Sequence, residues 1–122
     1  MVHSYSSVVL DVLQSLSERG LNVEIIATES RPILQGNETK GLRVANQCEK
    51  LGLQCTVIPD TAVAIFMRDV DCVLVGCEAV LANGGIVNKI GTFGVALIAG
   101  HFKKPVYVFT ESYKFMQEFP LG

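Results

Sequence analysis

Short runs of β-branched residues alternate with helical patterns along the whole chain. Four apolar runs are predicted as strands, over residues 23–27, 55–58, 73–75 and 106–109. Strands separated by helices pair in parallel, with right-handed crossovers that cover both faces of the sheet. The sequence therefore predicts one α/β domain over residues 1–122, a Rossmann-like three-layer sandwich with a mostly parallel sheet.

The segments between these runs have the apolar spacing of helices. The first helix is expected to begin near Ser6 or Ser7, either of which can cap it, and to stop at Gly20. The second is expected to end at Gly52, and its apolar face consists of Leu42, Ala45, Cys48 and Leu51. Two further helices are predicted, over residues 61–67 and from about residue 92 to residue 101.

Composition excludes several classes of protein. Hydrophobic residues make up 49% of the 122 residues and charged residues 18%, which favours a packed core over disorder. A formal net charge of -2 with dispersed basic residues gives no footprint for direct nucleic-acid binding. No apolar run approaches the roughly 18 to 20 residues that span a bilayer, and no signal-peptide pattern opens the chain. We therefore expect a soluble, cytoplasmic protein without a membrane partner.

The four cysteines are predicted to be structural. Cys48, Cys55, Cys72 and Cys77 form no Cys-x-x-Cys pair, and most of their neighbours are apolar. Cysteine in a reducing compartment behaves as a small hydrophobic residue. We therefore expect neither a metal site nor disulfide bonds.

Residues 83–92 join a glycine turn to the start of a helix. Asn83, Gly84 and Gly85 form the turn, and Asn88 and Lys89 follow it before the helix expected from Thr92. Unpaired N–H groups and the helix dipole attract phosphate to such a helix start. The alternative is a tight loop whose glycines serve only to permit positive φ. The residues themselves leave both interpretations open.

Ligands of doubly wound folds bind beyond the carboxyl ends of the strands. The loops at that edge are predicted to begin at His3, Thr28, Asp60, Gly76 and Thr110. No Gly-x-Gly-x-x-Gly follows the first strand and no Walker sequence is present, so neither a dinucleotide nor a nucleoside triphosphate is indicated. We expect no cofactor.

Four motifs in a fixed order carry a family resemblance, at residues 3–7, 28–36, 83–92 and 111–115. Together they resemble the C-terminal domain of the family that unites the alpha, beta and delta subunits of initiation factor 2B with two sugar-phosphate isomerases. Those isomerases act on methylthioribose-1-phosphate and ribose-1,5-bisphosphate. The end of the chain is most similar to the alpha subunit. The resemblance also implies that an amino-terminal helical domain is missing, in keeping with a first strand of only three residues.

The resemblance implies a degenerate catalytic pair. The isomerases use a cysteine and an aspartate, and these fall on Ser4 and Glu78. Serine does not titrate near neutrality, and glutamate displaces the carboxylate by one methylene, so we predict no catalytic residues.

The phosphate-binding positions match the family better. The resemblance assigns them to Ser4, Arg31, Gly84, Gly85, Asn88 and Lys89. Two alternatives remain open. Arg31 also fits, less well, as a surface arginine held by Glu29, and Lys89 as a cation at a helix end or an interface.

By resemblance, the function is that of a regulatory, non-catalytic subunit of the guanine nucleotide exchange factor for translation initiation factor 2, which helps to sense phosphorylation of that factor's alpha subunit. The implied partners are a second copy of the chain and the beta and delta subunits, with a sugar phosphate as ligand. The predicted interface residues are Tyr113, Phe115, Phe119 and Leu121. An isomerase and a sugar-phosphate sensor are the alternatives.

Overall fold

The computed structural model describes residues 1–33, 36–77, 79–80 and 86–110 of the chain. Its helices are α1 (Ser7–Glu18), α2 (Lys40–Leu51), α3 (Val63–Met67, preceded by the 3-10 turn Asp60–Ala62) and α4 (Thr92–His101). Its strands are β1 (Glu24–Thr28), β2 (Gln54–Ile58), β3 (Val73–Gly76), β4 (Ala79–Val80), β5 (Ile86–Val87) and β6 (Val106–Phe109). Within these described residues, none of the helices has the length and apolarity needed to cross a membrane.

The first residues of the chain form the centre of a parallel sheet. β1 pairs in parallel with β2, and β3 pairs in parallel with β6. Val2 bridges Ala27 on one side and Leu74 on the other, with Val2 N–H donating to the Ile26 carbonyl at 2.8 Å. The strand order is therefore β2, β1, the Val2 segment, β3 and β6. This order confirms the predicted parallel sheet.

Two apolar clusters cover the two faces of the sheet. α1 and α2 pack on one face, where the buried residues include Val9, Leu13, Ile25, Val44 and Cys48. α3 and α4 pack on the other face, where the buried residues include Val63, Met67, Val73, Val75 and Val95. Helices on both sides of one sheet give the three layers that the sequence predicts.

Local signals set the helix ends. Ser6 caps α1, because its Oγ accepts the Val9 N–H at 3.3 Å. α2 ends at Gly52, which has a left-handed φ of 72° that suits glycine. α4 has the predicted bounds.

One element was missed. β4 and β5 form an antiparallel ladder, with Ala79 opposite Val87 and Val80 opposite Ile86. The sequence gives no strand signal here, because strands of two residues are too short to show alternation. The glycine turn at residues 83–85 lies outside the described residues.

Two of the cysteines contact each other in the α1–α2 layer. Cys48 is fully buried on α2, and Cys55 is half-buried on β2. Burial raises the pKa of the Cys55 thiol to about 12, with a further contribution from Cys48. Since the thiolate is the reactive form, Cys55 is expected to be inert at neutral pH.

Candidate functional site

A small cleft lies where the strand order reverses. The chain leaves the Val2 segment toward β1 and β2 on one side, and after β2 it crosses to β3 on the other side. The cleft opens at the carboxyl ends of these central strands, where doubly wound folds bind ligands. It has a volume of about 200 Å³ and is lined by His3, Ser4, Tyr5, Ser6, Ser7, Gly76, Cys77 and Asn88.

A larger groove of about 620 Å³ lies at the opposite edge of the sheet. Residues that precede the strands line it, among them Asn22, Asp69 and Asp71. The smaller cleft is the better candidate site, because it lies at the carboxyl edge and three of the four residues from Ser4 to Ser7 that line it are serines.

Gly76 lets the first loop approach the end of β3. A Cβ added at Gly76 would lie 2.5 Å from the Ser6 Oγ, so a larger residue would displace the α1 cap. The Gly76 carbonyl accepts the Asn88 Nδ2–H at 2.6 Å, and the Asn88 Oδ1 accepts the Lys89 N–H at 2.9 Å. Asn88 therefore holds the segment before α4 against the end of β3.

A hydrogen-bond network fixes the loop that contains Ser4. The Ser4 N–H donates to the Ser30 Oγ at 2.7 Å, and the Ser30 Oγ lies 2.9 Å from the Thr28 Oγ1. Ser4 and Ser30 both have left-handed φ angles, of 67° and 62°. Such angles are uncommon outside glycine and persist where the surroundings enforce them. The network therefore holds the Ser4 backbone in an unusual conformation at the cleft.

His3 is fully engaged beneath the cleft. It is 3% exposed, its Nε2 lies 2.8 Å from the Ile90 carbonyl oxygen, and its Nδ1 lies 2.7 Å from the Thr28 Oγ1. A carbonyl only accepts, so Nε2 carries a proton, and in the neutral ring Nδ1 accepts the Thr28 hydroxyl. Both nitrogens are occupied by structural hydrogen bonds, so this imidazole is not offered to a ligand.

Asp60 organises the neighbouring loop. Its two carboxylate oxygens accept the N–H groups of Ser30 and Arg31, each at 2.7 Å. From the sequence, Asp60 is predicted to begin a carboxyl-edge loop, but its role as an acceptor is not. The only signal of this role in the sequence is a carboxylate at the start of a loop, and that signal does not identify the N–H groups that Asp60 accepts.

The Arg31 guanidinium points to its own loop. Its Nε donates to Glu29 Oε2 at 3.1 Å, and its side chain is 61% exposed. Arg31 does not line the cleft. This is the geometry of the alternative in which Glu29 holds a surface arginine, and phosphate binding by Arg31 stays a prediction.

Lys89 is buried and joins two loops. It is 7% exposed, and its Nζ donates to the Pro32 carbonyl at 2.8 Å. Its own carbonyl accepts the Thr92 Oγ1–H at 2.6 Å, at the start of α4. Lys89 is thus placed between the loop after β1 and α4, and its ammonium has one described partner.

The structure brings Ser4 and Asn88 together in the cleft. Several predicted positions lie outside the described residues: Glu78, Gly84, Gly85, Tyr113, Phe115, Phe119 and Leu121. The roles assigned to them stay predictions.

The contact between Tyr5 and Arg43 was not predicted from the sequence. Tyr5 lines the cleft, and the Arg43 Cζ lies 4.0 Å from the centroid of its ring. Arg43 belongs to α2, so only the packing of α2 against the first loop brings the two side chains together.

Comparison with known proteins identifies the family. The sequence matches the Initiation factor 2 subunit family over residues 1–122. It is 44% identical over 115 residues to ribose 1,5-bisphosphate isomerase of Archaeoglobus fulgidus. The aligned region covers 94% of this chain and 35% of that protein. It is 41% identical over 122 residues to translation initiation factor eIF2B subunit alpha of Dictyostelium discoideum. The aligned region covers 100% of this chain and 36% of that protein.

The solved structures agree. The fold superimposes on the translation initiation factor eIF-2B of Pyrococcus horikoshii OT3 with a TM-score of 0.89 and 34% identity, covering 98% of this chain and 42% of that chain. A Rossmann-like domain with a cleft at its strand reversal is the class that the fold defines. The chain belongs to the initiation factor 2 subunit family, which confirms the resemblance. It spans only 35% to 42% of the length of these three relatives.

Proposed function

We propose that this chain is part of a regulatory, non-catalytic subunit of the guanine nucleotide exchange factor for translation initiation factor 2. The similarity to an eIF2B alpha subunit over all 122 residues supports this assignment and favours the alpha type over beta and delta. The cleft is then a ligand pocket, retained for a sugar phosphate and without isomerase chemistry.

The observation that carries the proposal is the chemistry of the cleft. Isomerisation of an aldose phosphate moves a proton between two adjacent carbons and needs a positioned acid and base. The described wall offers the hydroxyls of Ser4, Ser6 and Ser7 and the buried thiol of Cys77, and its one imidazole, that of His3, is held by two structural hydrogen bonds. Ser4 occupies the position that the family resemblance gives to the enzymes' cysteine. A serine hydroxyl has no thiolate form, so it cannot replace that cysteine in the acid–base pair.

We expect no isomerase turnover. The native-length protein is incubated with ribose-1,5-bisphosphate or methylthioribose-1-phosphate, and the ketose product is followed by NMR. Ketose should form no faster than it does without protein, because Ser4 stands where the family resemblance places the enzymes' cysteine, and its hydroxyl is a poor acid or base near neutrality. An active isomerase of the family serves as the positive control. Turnover of roughly 1 per second or more, the ordinary range of enzymes, would overturn the regulatory assignment.

An isomerase is the second candidate. The 44% identity to a ribose 1,5-bisphosphate isomerase favours it, since it is at least as high as the identity to the alpha subunit. Under this candidate the chain is part of an enzyme with altered catalytic residues, and the same NMR experiment separates the two.

Association with other subunits is part of the proposal. α4 exposes Phe93 and Leu97, and Ile90 just before the helix is exposed as well, at 77%, 58% and 66% respectively. Large apolar patches are rare on monomers and mark interaction surfaces. We therefore keep the predicted homodimer, to which Tyr113, Phe115, Phe119 and Leu121 would contribute, and its docking to beta and delta subunits in the cytoplasm. The phosphorylated alpha subunit of initiation factor 2 is the regulatory partner.

A further inference from the structure

Three loops at the carboxyl edge of the sheet are joined in series by hydrogen bonds. They follow β2, β1 and the Val2 segment, and each loop supplies one residue to the series. The Asp60 carboxylate accepts the Ser30 N–H at 2.7 Å, and the Ser30 Oγ accepts the Ser4 N–H at 2.7 Å. Asp60 is therefore connected to the cleft through Ser30, although Asp60 is not among the residues that line the cleft.

Ser30 is held at both its backbone and its side chain. The two carboxylate oxygens of Asp60 accept the N–H groups of Ser30 and Arg31. The Ser30 side chain is fully buried, and its Oγ lies 2.9 Å from the Thr28 Oγ1 and 3.2 Å from the Thr28 carbonyl oxygen. The Oγ that accepts the Ser4 N–H is thus fixed in position from two sides.

The Ser4 backbone depends on this acceptor. Its φ of 67° lies in the left-handed region, which is costly for any residue that has a Cβ. Such a conformation persists where the surroundings enforce it. The hydrogen bond from the Ser4 N–H to the Ser30 Oγ supplies this restraint. Without the bond, Ser4 is expected to relax toward negative φ, and the wall of the cleft moves with it.

We propose that Asp60 is a positioning residue for the cleft, because it acts through Ser30 to hold Ser4 in the left-handed conformation in which the cleft binds its ligand. This inference rests on the proposed ligand pocket and adds to it a residue that does not contact the ligand. The apparent affinity of a site falls with the fraction of molecules that have the binding conformation. A substitution at Asp60 that lowers this fraction weakens binding without removing any contact to the ligand.

The first test measures binding of ribose 5-phosphate to the native-length protein by isothermal titration calorimetry. Asp60→Asn should raise the dissociation constant at least about five-fold, because the amide NH2 faces one of the two N–H groups that the carboxylate accepts. Charge alone predicts the opposite result, since removing a negative charge favours a bound anion. The direction of the change therefore separates positioning from electrostatics.

Two further variants accompany Asp60→Asn. Ser30→Ala keeps the net charge and removes the acceptor of the Ser4 N–H, so it should weaken binding to a similar extent. Asp69→Asn is the matched control, because it makes the same change in charge at the groove on the opposite edge of the sheet. It should leave the dissociation constant within about two-fold of the original value. Melting temperatures establish that each variant is folded.

A second background tests whether the effect passes through Ser4. Glycine adopts positive φ without strain, so Ser4→Gly removes the need for the restraint. Ser4→Gly also removes a hydroxyl from the wall, and its own dissociation constant is the reference for this half of the double-mutant cycle. In the Ser4→Gly background, Asp60→Asn should change the dissociation constant by less than about two-fold.

A measurement without ligand tests the structural part of the inference. Hydrogen–deuterium exchange, resolved to single amides by mass spectrometry, reports the protection of the Ser4 N–H. Exchange at this amide should be at least about ten-fold faster in Asp60→Asn and in Ser30→Ala than in the unmodified protein, because its acceptor is displaced or absent. It should be unchanged in Asp69→Asn. Equal protection of the Ser4 amide in all four proteins would show that Asp60 does not act on Ser4.

The binding results that oppose the inference have different meanings. If Asp60→Asn leaves binding of ribose 5-phosphate unchanged or strengthens it, Asp60 does not position the cleft, while the ligand pocket stands. If Asp60→Asn weakens binding equally in the Ser4→Gly background, the effect passes through another residue, such as Arg31, and the role given to Ser4 is wrong. If the unmodified protein binds neither ribose 5-phosphate nor inorganic phosphate at millimolar concentrations, the pocket and the inference both fail.

Discussion

Replacing Gly41 with alanine is expected to lower the free energy of unfolding by at least about 3 kcal/mol. Gly41 lies in the first turn of α2, and its N–H donates to the Glu29 carbonyl at 3.1 Å. A Cβ at this position would overlap the Thr28 carbonyl oxygen and come within 2.8 Å of the Glu29 Cα. These atoms belong to the backbone and cannot rotate away, so α2 would have to move away from the loop that contains Ser30. Urea unfolding measures the change.

Gly94→Ala is the control for this prediction. Gly94 is also inside a helix, α4, and a Cβ there meets nothing within 4 Å. Alanine at an unhindered helical glycine stabilises by about 0.5 to 1 kcal/mol, because the unfolded chain loses freedom. The two substitutions are therefore predicted to have opposite signs. Equal effects of Gly41→Ala and Gly94→Ala would show that α2 does not contact the β1 loop as described.

Replacing Met67 with alanine is expected to cost about 2 to 5 kcal/mol of unfolding free energy. Met67 is 0% exposed at the end of α3, and it belongs to the apolar cluster that contains Val63, Val73 and Val75. The loss combines the transfer of the side chain to water with the cavity that remains. Thermal unfolding should show a lower midpoint, by several degrees for each kcal/mol in a domain of this size.

Ile65→Ala is the matched control on the same helix. Ile65 is 75% exposed, so its truncation should change the free energy of unfolding by no more than about 0.5 kcal/mol. The contrast isolates burial from helix propensity. A loss below about 1 kcal/mol for Met67→Ala, or equal losses for both variants, would contradict the placement of α3 on the sheet.

The fold was accessible from the sequence because its signals are local. β-branched runs predict the parallel strands, and α4 was predicted with its observed bounds, Thr92–His101. The end of α2 at Gly52 was predictable, because it depends only on the left-handed backbone conformation of that one residue. The ladder of β4 and β5 was not predicted, since its pairs are set by a turn and by tertiary packing rather than by a periodic pattern.

The cleft was predictable in place but not in detail. The rule that ligands bind at the carboxyl edge locates Ser4 and Gly76 correctly in the cleft. The Asp60 carboxylate and the Ser30 N–H that it accepts are 30 residues apart, and no spacing in the sequence connects them. Sequence alone also could not decide whether the Arg31 guanidinium reaches the cleft or Glu29, because both require only that Arg31 follow β1.

Co-purification from native cells tests the central claim most directly. The native-length protein, tagged at its endogenous locus, is isolated without cross-linking and identified with its partners by native mass spectrometry. We predict two copies of the protein in stoichiometric association with the beta and delta subunits of the exchange factor for translation initiation factor 2. Recovery of the protein as a monomer, or as an oligomer that contains no exchange-factor subunit, would contradict it.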